Sequence, residues 1–365
     1  MKKLLEIRQQ VGQLLIMGFD GVEPTEKLCG LLARLQPGGV ILFKRNIVDA
    51  RQTWELLRGC QESSAVPMFL CVDMEGGTVD RLRDAIAPAP SVEEVAASAD
   101  KSTFREHGRI IGEEIRTLGF NTDFAPVLDL CQAASRSVLG TRIASHDPQE
   151  TTIYAREFLR GLRQARVLGC GKHFPGLGEA SLDTHHELPS VNKAWRRLWE
   201  EDLFPYRALR KELPFVMVAH AAYPAVTQDA TPASLSPKWI RDILRKKIGY
   251  RGLIVSDDLE MGGVLAAAPV GQAAVATIRA GCDIFLVCHN EEHVLTAYEA
   301  AVSEAERDRK FGALAAAASA RVLAFKKKAA ELRRPAPMPE PERIERLRQR
   351  IRAFSEQVKT ATVVM

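Results

Sequence analysis

The residues that could do chemistry concentrate in one stretch, 172–185, which reads Lys-His-Phe-Pro-Gly-Leu-Gly-Glu-Ala-Ser-Leu-Asp-Thr-His and follows an apolar run. A Lys-His pair opens this stretch and an Asp-x-His pair closes it. Because Asp183 and His185 are one residue apart, they can lie on the same side of an extended loop. The carboxylate would then hold one ring nitrogen of the histidine while the other nitrogen moves a proton. These two residues therefore predict an acid/base pair.

A second candidate is Asp257, which follows Gly-Leu-Ile-Val-Ser and is followed directly by Asp258. Two adjacent aspartates on an extended segment point to opposite sides, so only one can face a shared site. Near cations such as Lys172 and Arg142, a carboxylate stays ionised and can attack an electrophilic carbon. We assign this nucleophilic role to Asp257, and we predict that Asp258 caps the next helix.

A third motif, Asp-Met-Glu-Gly-Gly-Thr-Val-Asp-Arg, begins at Asp73 and ends at Arg81. The two glycines turn the chain, so the arginine can reach back over the same site as the aspartate. A carboxylate that accepts and a guanidinium that donates suit a ligand with several hydroxyl groups. A simple Asp73–Arg81 salt bridge without a ligand explains the pattern equally well, and the residues alone leave both interpretations open.

The sequence predicts neither a metal nor a cofactor. His173, Asp183, His185 and His186 together resemble a ligand set, but their spacing matches none of the usual zinc patterns. The glycines of the 171–178 segment lack the Walker spacing, and the lysine precedes the loop instead of following it.

Composition predicts a globular protein that acts on small molecules. The chain has 365 residues, of which 46% are hydrophobic, and a net charge of +4. Its basic residues mostly alternate with acidic ones, which argues against nucleic acid as a partner. The seven cysteines form an odd number without a C-x-x-C pair, as expected of reduced thiols in a cytoplasmic protein. The sequence has neither a signal-peptide core at its start nor a run as long as a membrane span, so we expect no membrane partner.

Apolar runs rich in Val, Ile, Leu and Phe predict eight strands, and most gaps between them are long enough for a helix. This alternation predicts an α/β fold, a single-domain (β/α)8 barrel of the TIM type over residues 1–332. A polar residue follows each run, and in such a barrel the carboxyl ends of the strands meet at one mouth. The predicted strands are 13–18, 39–43, 68–72, 120–126, 167–172, 215–220, 252–256 and 283–287.

The C-terminal part differs from the rest in composition. Residues 333–341 are rich in proline and predict a stiff, extended linker. Apolar residues then recur every three or four positions in 342–365, which predicts an amphipathic helix followed by a tail. We favour packing of this helix on its own barrel over a dimer contact, and place a membrane-surface role third. The protein is accordingly expected to be a monomer or a weak homodimer.

The chain resembles glycoside hydrolase family 3, and within it the single-domain bacterial cytoplasmic β-N-acetylhexosaminidases of peptidoglycan recycling. The resemblance extends from Gly12 to about Ala320, through ordered motifs that include Gly-Gly-Val-Ile-Leu-Phe at 38–43, Lys-His-Phe-Pro-Gly at 172–176 and Ser-Asp-Asp-Leu at 256–259. The Asp-x-His element resembles the motif that is characteristic of the N-acetylglucosaminidase branch of this family. A (β/α)8 barrel agrees with this resemblance.

The resemblance also implies roles for particular residues. Asp257 matches the nucleophile, His185 the general acid/base and Asp183 the residue that supports it. The implied activity is retaining, exo-acting release of terminal β-linked GlcNAc from peptidoglycan-derived (anhydro)muropeptides through a covalent glycosyl-enzyme, without a cofactor. Sugar contacts are implied at Asp73, Arg81, Arg142, Lys172 and His173.

Three positions depart from the family pattern: Leu177 stands where histidine is usual, Glu179 where aspartate is common, and Thr78 where arginine often follows the two glycines. These departures affect loop geometry and leaving-group preference. A related family 3 glycosidase or a phosphorylase with another sugar preference is therefore an alternative. An alternative from another class is a sugar-binding barrel without catalysis, against which the presence of Asp257, Asp183 and His185 argues.

Overall fold

A computed structural model describes residues 2–132, 135–180 and 188–363 of the chain. Its centre is a sheet of eight strands, all parallel, as the apolar runs predicted. The strands are short and almost entirely buried, because helices cover their outer face and side chains fill their interior. In chain order the barrel strands are Leu15–Met17, Gly39–Ile41, Phe69–Val72, Thr122–Asp123, Cys170–Phe174, Phe215–Val218, Leu253–Asp258 and Ile284–Val287.

The sheet closes into a barrel. The first strand pairs with both the second and the eighth, with Ile16 opposite Gly39 and Leu15 opposite Phe285. The fourth and fifth strands meet through parallel bridges, one of which joins Thr122 to Leu168. All carboxyl ends of the strands therefore open on one mouth, which is where (β/α)8 enzymes place their active sites.

Two strands run further than the sequence predicted. The fifth continues to Phe174, which pairs with Val218, and the seventh continues to Asp258, which pairs with Leu286. The predicted runs end at Lys172 and Ser256, so His173 and Asp257 were expected in the loops that follow. Both residues instead stand on strands, as Lys172 does, and the backbones of these strands are held by neighbours on both sides. Such positions fix a side chain more closely than a loop does.

Helices surround the barrel, and several begin at an aspartate that caps them. Asp49, Asp100 and Asp147 each accept a hydrogen bond from a backbone N–H in the first turn of their helix. The helices are Lys2–Gly12, Glu26–Leu35, Ala50–Glu62, Val92–Ala96, Lys101–Thr117, Arg136–Leu139, Pro148–Gln164, Trp195–Glu200, Phe204–Leu209, Pro224–Thr227, Lys238–Lys247, Gly262–Leu265, Val270–Ala280, Glu291–Arg307, Arg309–Lys328 and Pro341–Val363. None of the helices in the described part of the chain is long and apolar enough to cross a bilayer.

The barrel interior is a packed core in which thiols serve as small apolar residues. Cys71 and Cys170 lie within it, and Cys282 is buried in the layer between strands and helices. Phe69 and Phe215 stack edge to face with their ring centroids 5.0 Å apart. Burial raises the pKa of each of these three thiols, which makes them poor nucleophiles.

One cation is buried beside this core. The Lys326 ammonium donates to Gln13 Oε1 at 2.8 Å and lies 4.9 Å from the centre of the Phe69 ring. Burial lowers its pKa from 10.5 to about 7. Between these two values the unfolded chain binds a proton that the folded protein does not, so the free energy of unfolding should rise with pH across that window.

Lys326→Met should therefore stabilise the protein near pH 7 and remove this part of its pH dependence. Urea unfolding at several pH values between 7 and 10 measures both effects. Lys327→Met, at the exposed next position, is the matched control and should behave like the wild type. Equal slopes of stability against pH in the wild type and in Lys326→Met would contradict the prediction.

The C-terminal helix packs on the barrel through its apolar stripe. Leu347, Ile351, Phe354 and Val358 are all buried, and the helix contacts Val92–Ala96 and Lys101–Thr117. Arg350 strengthens the contact, because its guanidinium donates to Glu106 at 2.8 Å and to Glu113 at 2.5 Å.

The proline-rich segment before this helix also lies against the barrel. Ala336 is buried, and its carbonyl accepts a hydrogen bond of 3.0 Å from the Trp54 indole. Both parts of the C-terminal region therefore add to the surface of the barrel.

Candidate active site

A cavity of about 410 Å³ opens at the mouth where the strands end. Its wall is built from residues of the second, fifth, sixth, seventh and eighth strands and from the segments that follow the second, third, fourth, fifth, seventh and eighth strands. The predicted site residues that the structure describes all line it: Asp73, Arg81, Arg142, Lys172, His173 and Asp257. Residues that are up to 184 positions apart in sequence thus meet in one place.

Lys172 is the centre of an ion-pair network at the base of this cavity. Its ammonium is 2.7 Å from Asp73 Oδ1 and 2.7 Å from Glu75 Oε1. The Arg142 guanidinium donates to both oxygens of Glu75, through Nε at 2.8 Å and Nη2 at 2.9 Å. Two cations and two carboxylates therefore hold one another, and the network presents Asp73 and Arg142 to the cavity.

This network also fixes the charges of its members. Burial alone would raise the pKa of Glu75, but the charges and hydrogen bonds of Arg142 and Lys172 hold it well below its usual range. Burial alone would lower the pKa of Lys172, but Asp73 and Glu75 raise it above its usual range. Both groups are ionised at neutral pH, so Lys172 is a charged hydrogen-bond donor and not a base.

Asp73 pairs with Lys172, and the structure does not form the alternative Asp73–Arg81 salt bridge. The guanidinium of Arg81 lies 5.9 Å from the Phe43 ring instead. Its Nε is buried and has no hydrogen-bond partner among the described residues. A buried donor without a partner is costly, and its place in the cavity wall suits a ligand that accepts a hydrogen bond.

His173 is held from behind by Asp129. Its Nδ1 is 2.7 Å from Asp129 Oδ2, so Nε2 is the ring nitrogen left for the cavity. The other oxygen of Asp129 accepts the backbone N–H of Leu177 at 2.7 Å. One buried carboxylate therefore orients the histidine and fixes the start of the loop that follows the fifth strand.

At the end of the seventh strand, both aspartates reach the cavity. The backbone N–H of Asp258 donates to Asp257 Oδ1 at 2.9 Å. The predicted helix cap is wrong: the next helix begins at Gly262 and is preceded by Met261. Asp258 instead accepts the backbone N–H groups of Glu260 at 3.1 Å and Cys288 at 3.2 Å, which ties the seventh strand to the eighth.

A third carboxylate and a histidine complete this side of the mouth. Possible ligand atoms of Asp258, Glu260 and His289 lie within 4.8 Å of one another. The Asp258 and Glu260 oxygens already accept hydrogen bonds from backbone N–H groups and from the rings of His289 and His293. The three residues therefore form an ion-pair network, in which the donors occupy the places that a cation would need.

Sequence reasoning did not identify several residues of the site as functional. Glu75, Asp129, Asp258 and His289 are polar residues at strand ends, and this position was the signal that could have identified them. Phe43 gave no such signal.

Asp183 and His185 lie outside the described residues, as does His186. Of the departures from the family pattern, Leu177 is buried and lines the cavity, and Thr78 is exposed. Glu179 lies 3.4 Å from the buried Lys193 ammonium.

A parallel (β/α)8 barrel with this cavity at the carboxyl ends of its strands has the architecture of a TIM-barrel enzyme. The family model for the glycosyl hydrolase family 3 N terminal domain matches residues 6–324 of the chain. A β-hexosaminidase of Bordetella parapertussis is 39% identical over 263 residues, which are 70% of this chain and 74% of that protein. A β-hexosaminidase of Idiomarina loihiensis is 35% identical over 76% of this chain and 84% of its own length.

Among solved structures, a family 3 β-N-acetylglucosaminidase from Paenibacillus sp. str. FPU-7 superimposes with a TM-score of 0.87. It is 33% identical to this chain, and the match covers 95% of this chain and 68% of that one. The chain therefore belongs to glycosyl hydrolase family 3 and is a glycoside hydrolase. The expected family and fold class are both confirmed.

Proposed function

We propose that this protein is a retaining exo-β-N-acetylglucosaminidase that removes terminal β-linked GlcNAc. Asp257 is the nucleophile, His185 is the general acid/base and Asp183 orients His185. The observation that carries the proposal is the position of Asp257: this carboxylate lines a cavity whose other walls supply the hydrogen-bonding groups that a sugar needs.

In the first half of this reaction, Asp257 attacks the anomeric carbon while His185 protonates the leaving oxygen, and a glycosyl-enzyme forms. In the second half, neutral His185 takes a proton from water, which attacks the same carbon and releases the sugar with its configuration retained. Most glycosidases use two carboxylates, so a histidine acid/base is an exception. The network around Lys172 and the separate Arg81 side chain hold the sugar: Asp73 accepts hydrogen bonds from hydroxyl groups, and Arg81, Arg142 and Lys172 donate them.

The substrate class follows from the relatives. Those with the names given above act on β-N-acetylhexosaminides, and we extend this specificity to the present chain. For the natural substrate we propose peptidoglycan-derived (anhydro)muropeptides, in a recycling pathway of the cytoplasm. The cationic side chains of Lys44, Arg45 and Arg81 in the cavity wall suit the acidic groups that such fragments carry. The cytoplasmic location stays a prediction based on the cysteines.

The test is steady-state release of 4-nitrophenol from its β-GlcNAc and β-glucoside derivatives, with and without phosphate, followed by digestion of GlcNAc-anhydroMurNAc. Turnover of the β-GlcNAc derivative alone, and release of GlcNAc from the disaccharide, is the expected result. Faster turnover with phosphate and formation of a sugar phosphate would replace the hydrolase by a phosphorylase. No turnover of any substrate by folded protein would contradict the proposal.

A further inference from the structure

His289 lies two residues after the end of the eighth strand and forms part of the cavity wall. Its ring is 5.0 Å from that of Phe43, which follows the second strand, and the two planes are inclined by 31°. Neither the acid/base pair, the nucleophile nor the sugar contacts proposed above give this residue a role. Its contacts instead lead to the residue next to the proposed nucleophile.

The link runs through Asp258. His289 Nδ1 donates to Asp258 Oδ2 at 3.0 Å, while Oδ1 of the same carboxylate accepts the backbone N–H of Cys288 at 3.2 Å. The backbone N–H of Asp258 in turn donates to Asp257 Oδ1 at 2.9 Å. His289 therefore holds the side chain of Asp258, and the backbone of Asp258 holds the carboxylate of Asp257.

We propose that His289 is a positioning residue for the nucleophile, which acts by holding the Asp258 carboxylate and thereby fixing the turn that presents Asp257 to the sugar. This inference rests on the proposed role of Asp257. His289 acts through the intervening Asp258 and does not take part in the bond changes. What it controls is the geometry of attack, to which displacement reactions are very sensitive.

The electrostatics agree with this geometry. Hydrogen bonds to Asp258 and Glu260 raise the pKa of His289 to about 9, although partial burial and the charge of Arg45 oppose the rise. His289 is therefore a cation at neutral pH, and its bond to Asp258 is a charge-assisted one. The positive charge also balances that of Asp258 and so reduces the repulsion between the two adjacent carboxylates.

The chain offers a matched control in His293. Its Nδ1 donates to Glu260 Oε1 at 2.8 Å, and its side chain is 42% exposed, compared with 56% for His289. Both histidines thus pair with a carboxylate of the same network and are about equally accessible. His293 differs in that it neither contacts Asp258 nor lines the cavity.

The experiment compares His289→Phe, His289→Asn and His293→Phe with the wild type in the full-length protein. Phenylalanine removes the donor, whereas asparagine can place an amide nitrogen close to the position of Nδ1. For each protein, kcat/KM is measured with 4-nitrophenyl β-N-acetylglucosaminide, because it reports the steps up to formation of the glycosyl-enzyme. The inhibition constant of free GlcNAc measures sugar binding without reaction, and thermal unfolding monitors the fold.

We expect His289→Phe to lower kcat/KM on the order of tenfold, because a small displacement of the nucleophile from its line of attack raises the barrier to reaction. The inhibition constant of GlcNAc should stay within about twofold of the wild-type value, because a displaced nucleophile slows reaction more than it weakens sugar binding. His289→Asn should restore most of the activity, and His293→Phe should match the wild type. A role in folding alone would lower the melting temperature without this separation.

Three results would overturn the inference: an unchanged kcat/KM in His289→Phe, an equal loss in His293→Phe, or a parallel loss of GlcNAc binding. Failure of the proposed function would give a different result from these three. In that case the wild-type protein itself would not hydrolyse the substrate, and the inference would fall with it.

Discussion

Asp257→Ala should abolish hydrolysis of 4-nitrophenyl β-N-acetylglucosaminide, with a loss in kcat of at least about a thousandfold. The reason is that no other group in the cavity is proposed to form the bond to the anomeric carbon. Asp73, the other carboxylate offered to the sugar, is held by the Lys172 ammonium at 2.7 Å. The GlcNAc inhibition constant should change far less than kcat, because the hydrogen bonds of the sugar come from other residues.

The same variant distinguishes a nucleophile from a residue that only binds. Removal of the side chain leaves space on the face of the sugar from which Asp257 would attack, and a small external nucleophile such as azide can enter there. Azide should restore release of 4-nitrophenol and yield the α-glycosyl azide, which has the configuration opposite to that of the substrate. Product analysis by NMR measures this outcome.

Asp242→Ala is the matched control, since that carboxylate is exposed on an outer helix and pairs with Lys246 at 3.0 Å. It should leave kcat unchanged. If Asp257→Ala retained a substantial part of the wild-type kcat, or if azide gave the β-azide, Asp257 would not be the nucleophile.

Glu75→Gln should be the most damaging of the conservative substitutions in the ion-pair network around Lys172. The Glu75 carboxylate is 1% exposed and accepts from Lys172 and from two nitrogens of Arg142. Glutamine has a single oxygen acceptor and turns an NH₂ group towards these cations. Among the described residues, Lys172 then keeps only Asp73 as an ion-pair partner and the partly buried Arg142 keeps none, so the free energy of unfolding should fall by about 3–5 kcal/mol.

Activity should fall as well, because the same cations position the groups that contact the sugar. A displacement of about 1 Å in such a network costs on the order of a hundredfold in rate. We therefore expect kcat/KM to fall by about this factor. Urea unfolding and steady-state kinetics measure the two effects independently.

The variant should also lose part of the pH dependence of stability. Folding lowers the pKa of Glu75 from its ordinary value of 4.5. The stabilisation that this group supplies is therefore complete above pH 4.5 and is lost as the pH falls from there towards the folded value. Over that range the wild type should lose more stability on acidification than Glu75→Gln does.

Glu157→Gln is the matched control for a buried carboxylate paired with two cations. The side chain of Glu157 is 5% exposed and pairs with Arg105 and Arg160, but these arginines are 43% and 47% exposed on the outside of the barrel. Water can solvate them when the carboxylate charge is lost, so the cost should be about 1 kcal/mol or less and kcat/KM should not change. Equal effects of the two substitutions would show that the Glu75 network has no special role.

The sequence by itself determined the barrel fold of the protein and most of the polar groups at the carboxyl ends of the strands. Eight apolar runs were enough to predict the barrel, because a strand buried on both faces must be apolar over several consecutive positions. Polar residues at the ends of these runs indicated the site, because a parallel barrel brings all such ends together. Asp73, Lys172 and Asp257 were found in this way before any contact was known.

The tertiary structure alone decided which partners these groups have. Asp73 could have paired with Arg81 eight residues away, but folding places Lys172 closer, and no local pattern reports a partner that lies 99 positions along the chain. Asp258 looked like a helix cap, yet pairing of the seventh strand with the eighth turned it into a link to His289. Sequence patterns show which face and which end of an element a residue occupies, whereas partners are selected by distance and burial, which arise only when the elements pack.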